Sequence, residues 1–221
     1  MKELTVHELF DLSHTIAEPL LSSVTYPWEA LSKIKDFILE LGKSLPEDEY
    51  FSPSEGVWIA KSATVAPSAV IGAPCIIGKE AEIRHCAFIR GSAIVGNGAV
   101  VGNSCELKNA ILFDKVQVPH FNYVGDSILG FKSHMGAGSI TSNVKSDKTN
   151  VTISTKDGKI ETGLRKMGAV LGDEVEVGCN SVLNPGTVIG KHSNVYPLSS
   201  VRGFVPKSHI FKSPDSIVMK K

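Results

Sequence analysis

The stretch Ile59-Ala60-Lys61-Ser62-Ala63-Thr64-Val65-Ala66-Pro67-Ser68-Ala69-Val70-Ile71-Gly72-Ala73-Pro74-Cys75-Ile76-Ile77 carries an aliphatic residue at every sixth position. The pattern continues through Ile83, Ile89, Val95, Val101 and Leu107, nine positions without exception. Four residues after each of the first eight stands Ala63, Ala69, Cys75, Ala81, Ala87, Ala93, Ala99 or Cys105, all small. A second run begins at Leu171 and continues through Val177, Leu183, Ile189, Val195 and Val201. A period of six matches no helical face, and small and β-branched residues favour extended backbone. A short strand, a turn and one inward aliphatic residue form one side of a coil. Three such sides close a triangle, and successive coils stack at about 4.8 Å, the spacing of paired strands. The aliphatic ladder is therefore core. Cys75 and Cys105 stand in place of alanine, so packing rather than chemistry explains them.

The phase breaks at three places. Leu107 to Leu112 and Val124 to Leu129 are five-residue steps, and a longer interruption runs over about 144–166. Inside it, Thr152–Thr155 and Lys159–Thr162 flank Lys156-Asp157-Gly158, which predicts a hairpin. Loops that leave a rigid scaffold tend to carry function. Residues 1–55 have another character. Thr5-x-x-Glu8 has the form of a capping box before Leu9, Leu12 and Ile16. Pro27 predicts the start of a second helix, with Leu31, Ile34, Phe37, Ile38 and Leu41 inward and Gly42 as its stop. Pro46 to Pro53 predicts a linker, and the helical pair is expected to cover the open end of the solenoid. The expected division is a helical region and linker over 1–55, a solenoid over 56–206 with its inserted loop, and a tail over 207–221.

The 221 residues balance 23 Lys+Arg against 23 Asp+Glu. That argues against a general nucleic-acid binder, which carries a basic excess. No apolar run approaches the roughly 20 residues of a membrane span. The first residues lack the apolar core of a signal peptide, and the four cysteines show no zinc spacing, so a cytoplasmic location is expected.

Coils of 18 residues stack residues 18 apart. Arg90 and Lys108 have that separation, and two stacked cations can share a phosphate, although solvated surface charge explains them equally well. His120, in Pro119-His120-Phe121-Asn122-Tyr123-Val124-Gly125-Asp126, is a side chain suited to accept a proton near neutral pH. Tyr123 can bond a sugar hydroxyl. Gly136-Ala137-Gly138-Ser139-Ile140-Thr141-Ser142-Asn143 lets a ligand approach backbone amides.

These features resemble a known family. The ladder is similar to that of left-handed parallel β-helix proteins. The stretch from Arg90 to Pro206 resembles the acetyltransferase half of the bifunctional N-acetylglucosamine-1-phosphate uridyltransferase/glucosamine-1-phosphate acetyltransferases. The family's H-L-x-Y-L-G-D and G-A-G-T-I-T-x-N correspond to the two segments quoted above. The resemblance implies an all-β, left-handed parallel β-helix with a small N-terminal helical region. It implies a homotrimer transferring acetyl from acetyl-coenzyme A, without a metal, to an amino-sugar phosphate such as glucosamine-1-phosphate. Its general base falls on His120 and its phosphate-binding cations on Arg90 and Lys108. Its sugar contacts fall on Tyr123, Asn143 and Lys166, and its coenzyme contacts on Ala137, Cys179 and Pro197. His134 stands where the family has a second sugar-binding asparagine, Cys179 where it has a small hydroxyl residue, and the loop before Lys166 is longer. No G-x-G-T-R loop of the nucleotidyltransferase half occurs, so a separate nucleotidyltransferase is an expected partner.

Two other readings share the solenoid. A zinc hydratase like the γ-type carbonic anhydrases needs three histidines. His85 and His120 are suitably separated, but Gly125 stands where a third ligand is wanted. A non-catalytic assembly or regulatory solenoid is favoured by His134 and the long loop.

Overall fold

The structure, a computed structural model, describes residues 1–220. Strands mostly two or three residues long alternate with turns and pair in parallel from coil to coil, in a left-handed parallel β-helix with three faces. Face 1 stacks Ile59, Ile77, Val95, Leu112, Leu129, Leu171, Ile189 and Val205 in one register. Face 2 stacks Val65, Ile83, Val101 and Val118, then Met135, Val177, Val195 and Phe211. Face 3 stacks Ile71, Ile89, Leu107 and Val124, then Thr141, Leu183 and Val201. The period-six aliphatics thus form the interior, and from Ile77 to Leu107 every one is buried. Each such side chain contributes roughly 1.5–3 kcal/mol. The small residues sit where the walls meet, and burial pushes the Cys75 thiol well above its ordinary value, so it is inert packing. Thr141 continues the ladder with a polar side chain. It is fully buried, and its hydroxyl accepts the Gly125 amide at 2.9 Å.

The repeat of 18 residues shortens to 17 where the five-residue steps occur. There the strands Glu106–Leu112 and Tyr123–Leu129 run unbroken around the corner between faces 3 and 1, bending at Asn109 (φ 50°) and Asp126 (φ 48°). Asn and Asp are the side chains that best tolerate this left-handed conformation. The repeat grows to 42 across the inserted loop. The expected hairpin forms, with Thr152–Thr155 antiparallel to Gly158–Glu161. It folds back on its own solenoid: Val151 and Ile153 are buried, and Gly186 and Gly203 lie where a Cβ would press on the hairpin backbone.

The N-terminal region departs from expectation. It runs along face 1, across the coils, instead of covering the solenoid's end. Its first helix, α1 (Val6–Leu9), is a single turn. The Thr5 hydroxyl bonds the Lys2 carbonyl instead of capping. Tertiary partners break this helix: the Leu9 carbonyl accepts the Asp173 amide, Asp173 accepts the Asp11 amide at 2.7 Å, and Phe10 packs on the Phe113 ring. A capping carboxylate does occur, at Glu29, which accepts the Thr25 and Tyr26 amides. Pro27 opens only a 3-10 turn; after α2 (Glu18–Ser22), the main helix is α3 (Ile34–Gly42), with Ile34 and Ile38 buried against the solenoid. The helix ends at Gly42 as expected, and a Cβ there would collide with the Trp58 ring, so the position takes only glycine. The segment read as a linker contains the strand Tyr50–Ser54, antiparallel to Val57–Ala60, which closes the first coil's edge. The segment read as a tail continues the solenoid through Phe211 and ends in a hairpin of His209–Ser213 with Ser216–Met219.

Candidate active site

One edge of the solenoid, between faces 2 and 3, collects four of the sequence-predicted residues in a single column. His120 lies in register with Asn103. Above it, the His120 carbonyl accepts the Gly138 amide, the Ala137 carbonyl the Asn180 amide, and the Cys179 carbonyl the Leu198 amide, all within 3.0 Å. His120, Ala137, Cys179 and Pro197 therefore occupy equivalent corners of successive coils. The residue after each is left-handed at Phe121, Gly138, Asn180 and Leu198. The turn thereby presents its first residue outward. The Ala137 amide has no acceptor among the described residues, so a free N–H donor stands one coil above His120. Asn122, which sequence reasoning quoted without a role, locks this corner. It is 2% exposed; its Oδ1 accepts the His120 amide at 3.1 Å and its Nδ2 donates to the Gly136 and Ser139 carbonyls.

The opposite edge of face 3 holds the cations. Arg90 and Lys108 stack as expected, because Ile89 and Leu107 are paired and the Arg90 amide donates to the Leu107 carbonyl. They are not bare, however. Arg90 pairs with Glu106 at 2.8 Å, and Lys108 pairs with both oxygens of Asp126 at 3.1 Å. Stacked like charges repel, and each has acquired a carboxylate in compensation. Asp126, 4% exposed, also accepts from Asn109 at 2.9 Å and from Asn143 at 2.5 Å. The Asn143 amide donates to the Tyr123 hydroxyl at 3.2 Å. Burial, and then the Asp126 and Glu106 carboxylates, push the Tyr123 phenol above its ordinary value, so it remains a neutral donor. Its ring crosses Gly125, where any Cβ would strike it. Lys166 is exposed at the exit of the inserted loop, beside Asn143, whose carbonyl accepts the Met167 amide.

His134 is separate from this cluster. It faces outward on face 2, where its Nδ1 lies 2.8 Å from Glu176. Glu106 and Asp126 are the residues that sequence reasoning missed. Spacing gave no signal for Asp126, because the repeat is 17 here and Lys108 pairs in register with Gly125, so Asp126 reaches Lys108 from the corner. Among the described residues, no three of His, Cys, Asp and Glu converge as metal ligands would.

The model of the GMPPB C-terminal domain family matches residues 74–196, more than half of the chain. The chain belongs to that family. The matched span holds every candidate residue except Pro197, which follows it directly. Within curated proteins, family-like similarity extends to a bifunctional sugar-1-phosphate nucleotidylyltransferase/acetyltransferase of Sulfurisphaera tokodaii, 34% identical over 48% of this chain and 27% of that one. It extends also to the bifunctional protein GlmU of Methanococcus vannielii, 34% identical over 52% of this chain and 28% of that one. The chain thus matches about a quarter of the length of these relatives. Among solved structures it is similar to the polySia specific acetyltransferase NeuO, at TM-score 0.48 and 13% identity over 72% of this chain and 82% of that one.

Proposed function

We propose that the chain is an acetyl-coenzyme A-dependent N-acetyltransferase whose acceptor is an amino-sugar phosphate such as glucosamine-1-phosphate. The observation that carries the reading is the column at the edge of face 3. It sets the imidazole of His120 one coil from the free amide of Ala137, with exposed Cys179 and Pro197 continuing the line for the coenzyme. His120 takes the proton from the acceptor ammonium, and the freed amine attacks the thioester carbon. The Ala137 N–H receives the developing oxyanion. The C–N bond forms, the C–S bond breaks, and the coenzyme leaves as a thiolate that takes up a proton. Tyr123 and Lys166 offer donors to the sugar, Asn143 offers its Oδ1 as an acceptor, and Arg90 and Lys108 offer charge to its phosphate.

The names of the curated relatives support acyl transfer in sugar metabolism. The exposed apolar side chains of Val70 and Phe88 along face 3 support a trimer in which such faces meet, with the coenzyme between neighbours. The test is a turnover screen of amino-sugar phosphates with acetyl-coenzyme A, reading released thiol. Glucosamine-1-phosphate is expected to release thiol in proportion to enzyme, and the absence of thiol with every acceptor refutes the activity. The ion pairs that occupy Arg90 and Lys108 favour one competing reading, a non-catalytic solenoid. Failure to bind coenzyme A would support it.

A further inference from the structure

Where the N-terminal region lies along face 1, the contact leaves a cavity of about 360 Å³. Its walls come from three parts of the chain: Ile16 of the N-terminal segment, Glu49 and Tyr50 at the entry to the solenoid, and Lys79, Asn97 and Asp114 from three successive coils. None of these residues belongs to the candidate active site, which occupies the two edges of face 3.

Two groups in the wall are incompletely used. Tyr50 is 8% exposed, yet its hydroxyl has no hydrogen-bond partner among the described residues. Burial pushes this phenol above its ordinary value, so it is a neutral donor, and the charges it feels are those of Lys79, Glu49 and Asp114 around the cavity. Asp114 accepts the Asn97 backbone amide at 2.7 Å and the Asn97 side chain at 3.5 Å, and forms no ion pair among the described residues. Neither His14 nor Lys115, the basic side chains that act on it, lies within ion-pair distance. Glu49 and Lys79 neutralise each other at 2.7 Å. The cavity therefore presents one uncompensated carboxylate opposite one unused phenolic donor, over an apolar patch that includes Ile16.

We infer that this seam is a binding site for a small hydroxylated amine, held by its ammonium on Asp114 and by an oxygen on the Tyr50 hydroxyl. A half-buried carboxylate without an ion-pair partner favours a positively charged ligand. Tyr50 lines the cavity with its ring packed in the wall, so its unpaired hydroxyl is open to a ligand oxygen. An occupant would touch the N-terminal segment, the entry strand and the coils together, and so would strengthen the docking of the helical region.

The test is calorimetric titration of the full chain with D-glucosamine, with N-acetyl-D-glucosamine as the uncharged control. Wild type is expected to bind glucosamine and not the acetylated sugar. Asp114→Asn should weaken binding at least about 10-fold, the lower bound for a charge-assisted hydrogen bond. Tyr50→Phe should weaken it about 3- to 10-fold, as for a neutral bond. Tyr50→Phe removes only a hydroxyl that the protein does not use, so it keeps the test valid if the other variant fails to fold. No heat with wild type, or wild-type affinity in both variants, overturns the assignment. So does loss of binding in Tyr123→Phe rather than Tyr50→Phe, which would place the glucosamine at the acyl-transfer site.

Discussion

At the scale of single residues, His120 and Asp126 have opposite dependencies on the fold. The His120 side chain is exposed and no other side chain uses it, so His120→Ala should leave the melting temperature unchanged. Turnover should fall roughly 100- to 10,000-fold, the range for losing a positioned general base. Steady-state kinetics beside a thermal melt check both halves. Asp126 is the buried acceptor for Lys108, Asn109 and Asn143 at once. Asp126→Ala strands three donors and should cost about 3–5 kcal/mol, the range for breaking a buried pair. Denaturant unfolding measures that loss directly. Arg90 is far more exposed, so its pair with Glu106 adds little to stability. If it clamps phosphate, Arg90→Ala should raise the KM for the phosphorylated sugar about 10- to 150-fold and leave that for acetyl-coenzyme A unchanged. An equal rise in both constants would refute the clamp.

At the scale of elements, the two long strands that round the corner of faces 3 and 1 shape the sugar side of the site. A six-residue step would have put a further residue between Val124 and Leu129; the five-residue step instead makes Asp126 the corner itself, its carboxylate aimed at Lys108 and Asn143. Gly125 next to it lets the Tyr123 ring lie flat along the strand and reach Asn143. Gly125→Ala should therefore push the ring away and cost about 1–3 kcal/mol by overpacking. The same variant should raise sugar KM more than coenzyme KM, because the column of Ala137, Cys179 and Pro197 lies on the other edge. Kinetics with each substrate varied in turn separate the two. The phase breaks were legible in the sequence as interruptions of a period. Their consequence was not, because the position of a side chain at a corner depends on the φ of that residue and not on its spacing.

At the scale of the molecule, the Asp173 side chain ties the N-terminal region to face 1, whereas the Asp114 side chain bonds only Asn97 among the described residues. Asp173 accepts the Asp11 and Phe131 amides and pairs with Lys191 at 2.9 Å. Asp173→Ala should cost about 3 kcal/mol. It should also expose the amides of residues 9–11 to hydrogen exchange while those of the solenoid strands stay protected. Asp114 acts in the opposite sense. Burial raises its carboxyl above the ordinary 3.8. A raised folded-state value favours folding below 3.8, and the benefit is lost as pH rises through the folded value. Ionised Asp114 is thus a cost at neutral pH, and Asp114→Asn should melt higher than wild type there. The advantage should shrink as pH falls into the carboxylate range. An advantage that grew in acid would mean that burial does not govern this group.

The sequence by itself determined the solenoid, its interior ladder, both five-residue corners and the inserted hairpin. All of these follow from a local period that each coil repeats against its neighbour, so nearest-neighbour stacking reproduces the pattern over the length of the chain. The resemblance named His120, Ala137, Cys179 and Pro197, whose unequal spacings follow no period, and the coil-to-coil register set them in one column. Only the tertiary structure decided where residues 1–55 lie, why α1 stops after one turn, and that Arg90 and Lys108 each face a carboxylate. Those features rest on hydrogen bonds between residues as far apart as Asp11 and Asp173, and on side chains meeting across corners, where no period relates one partner to the other. A capping sequence or a pair of cations sets a local preference, and long-range partners of comparable energy override it.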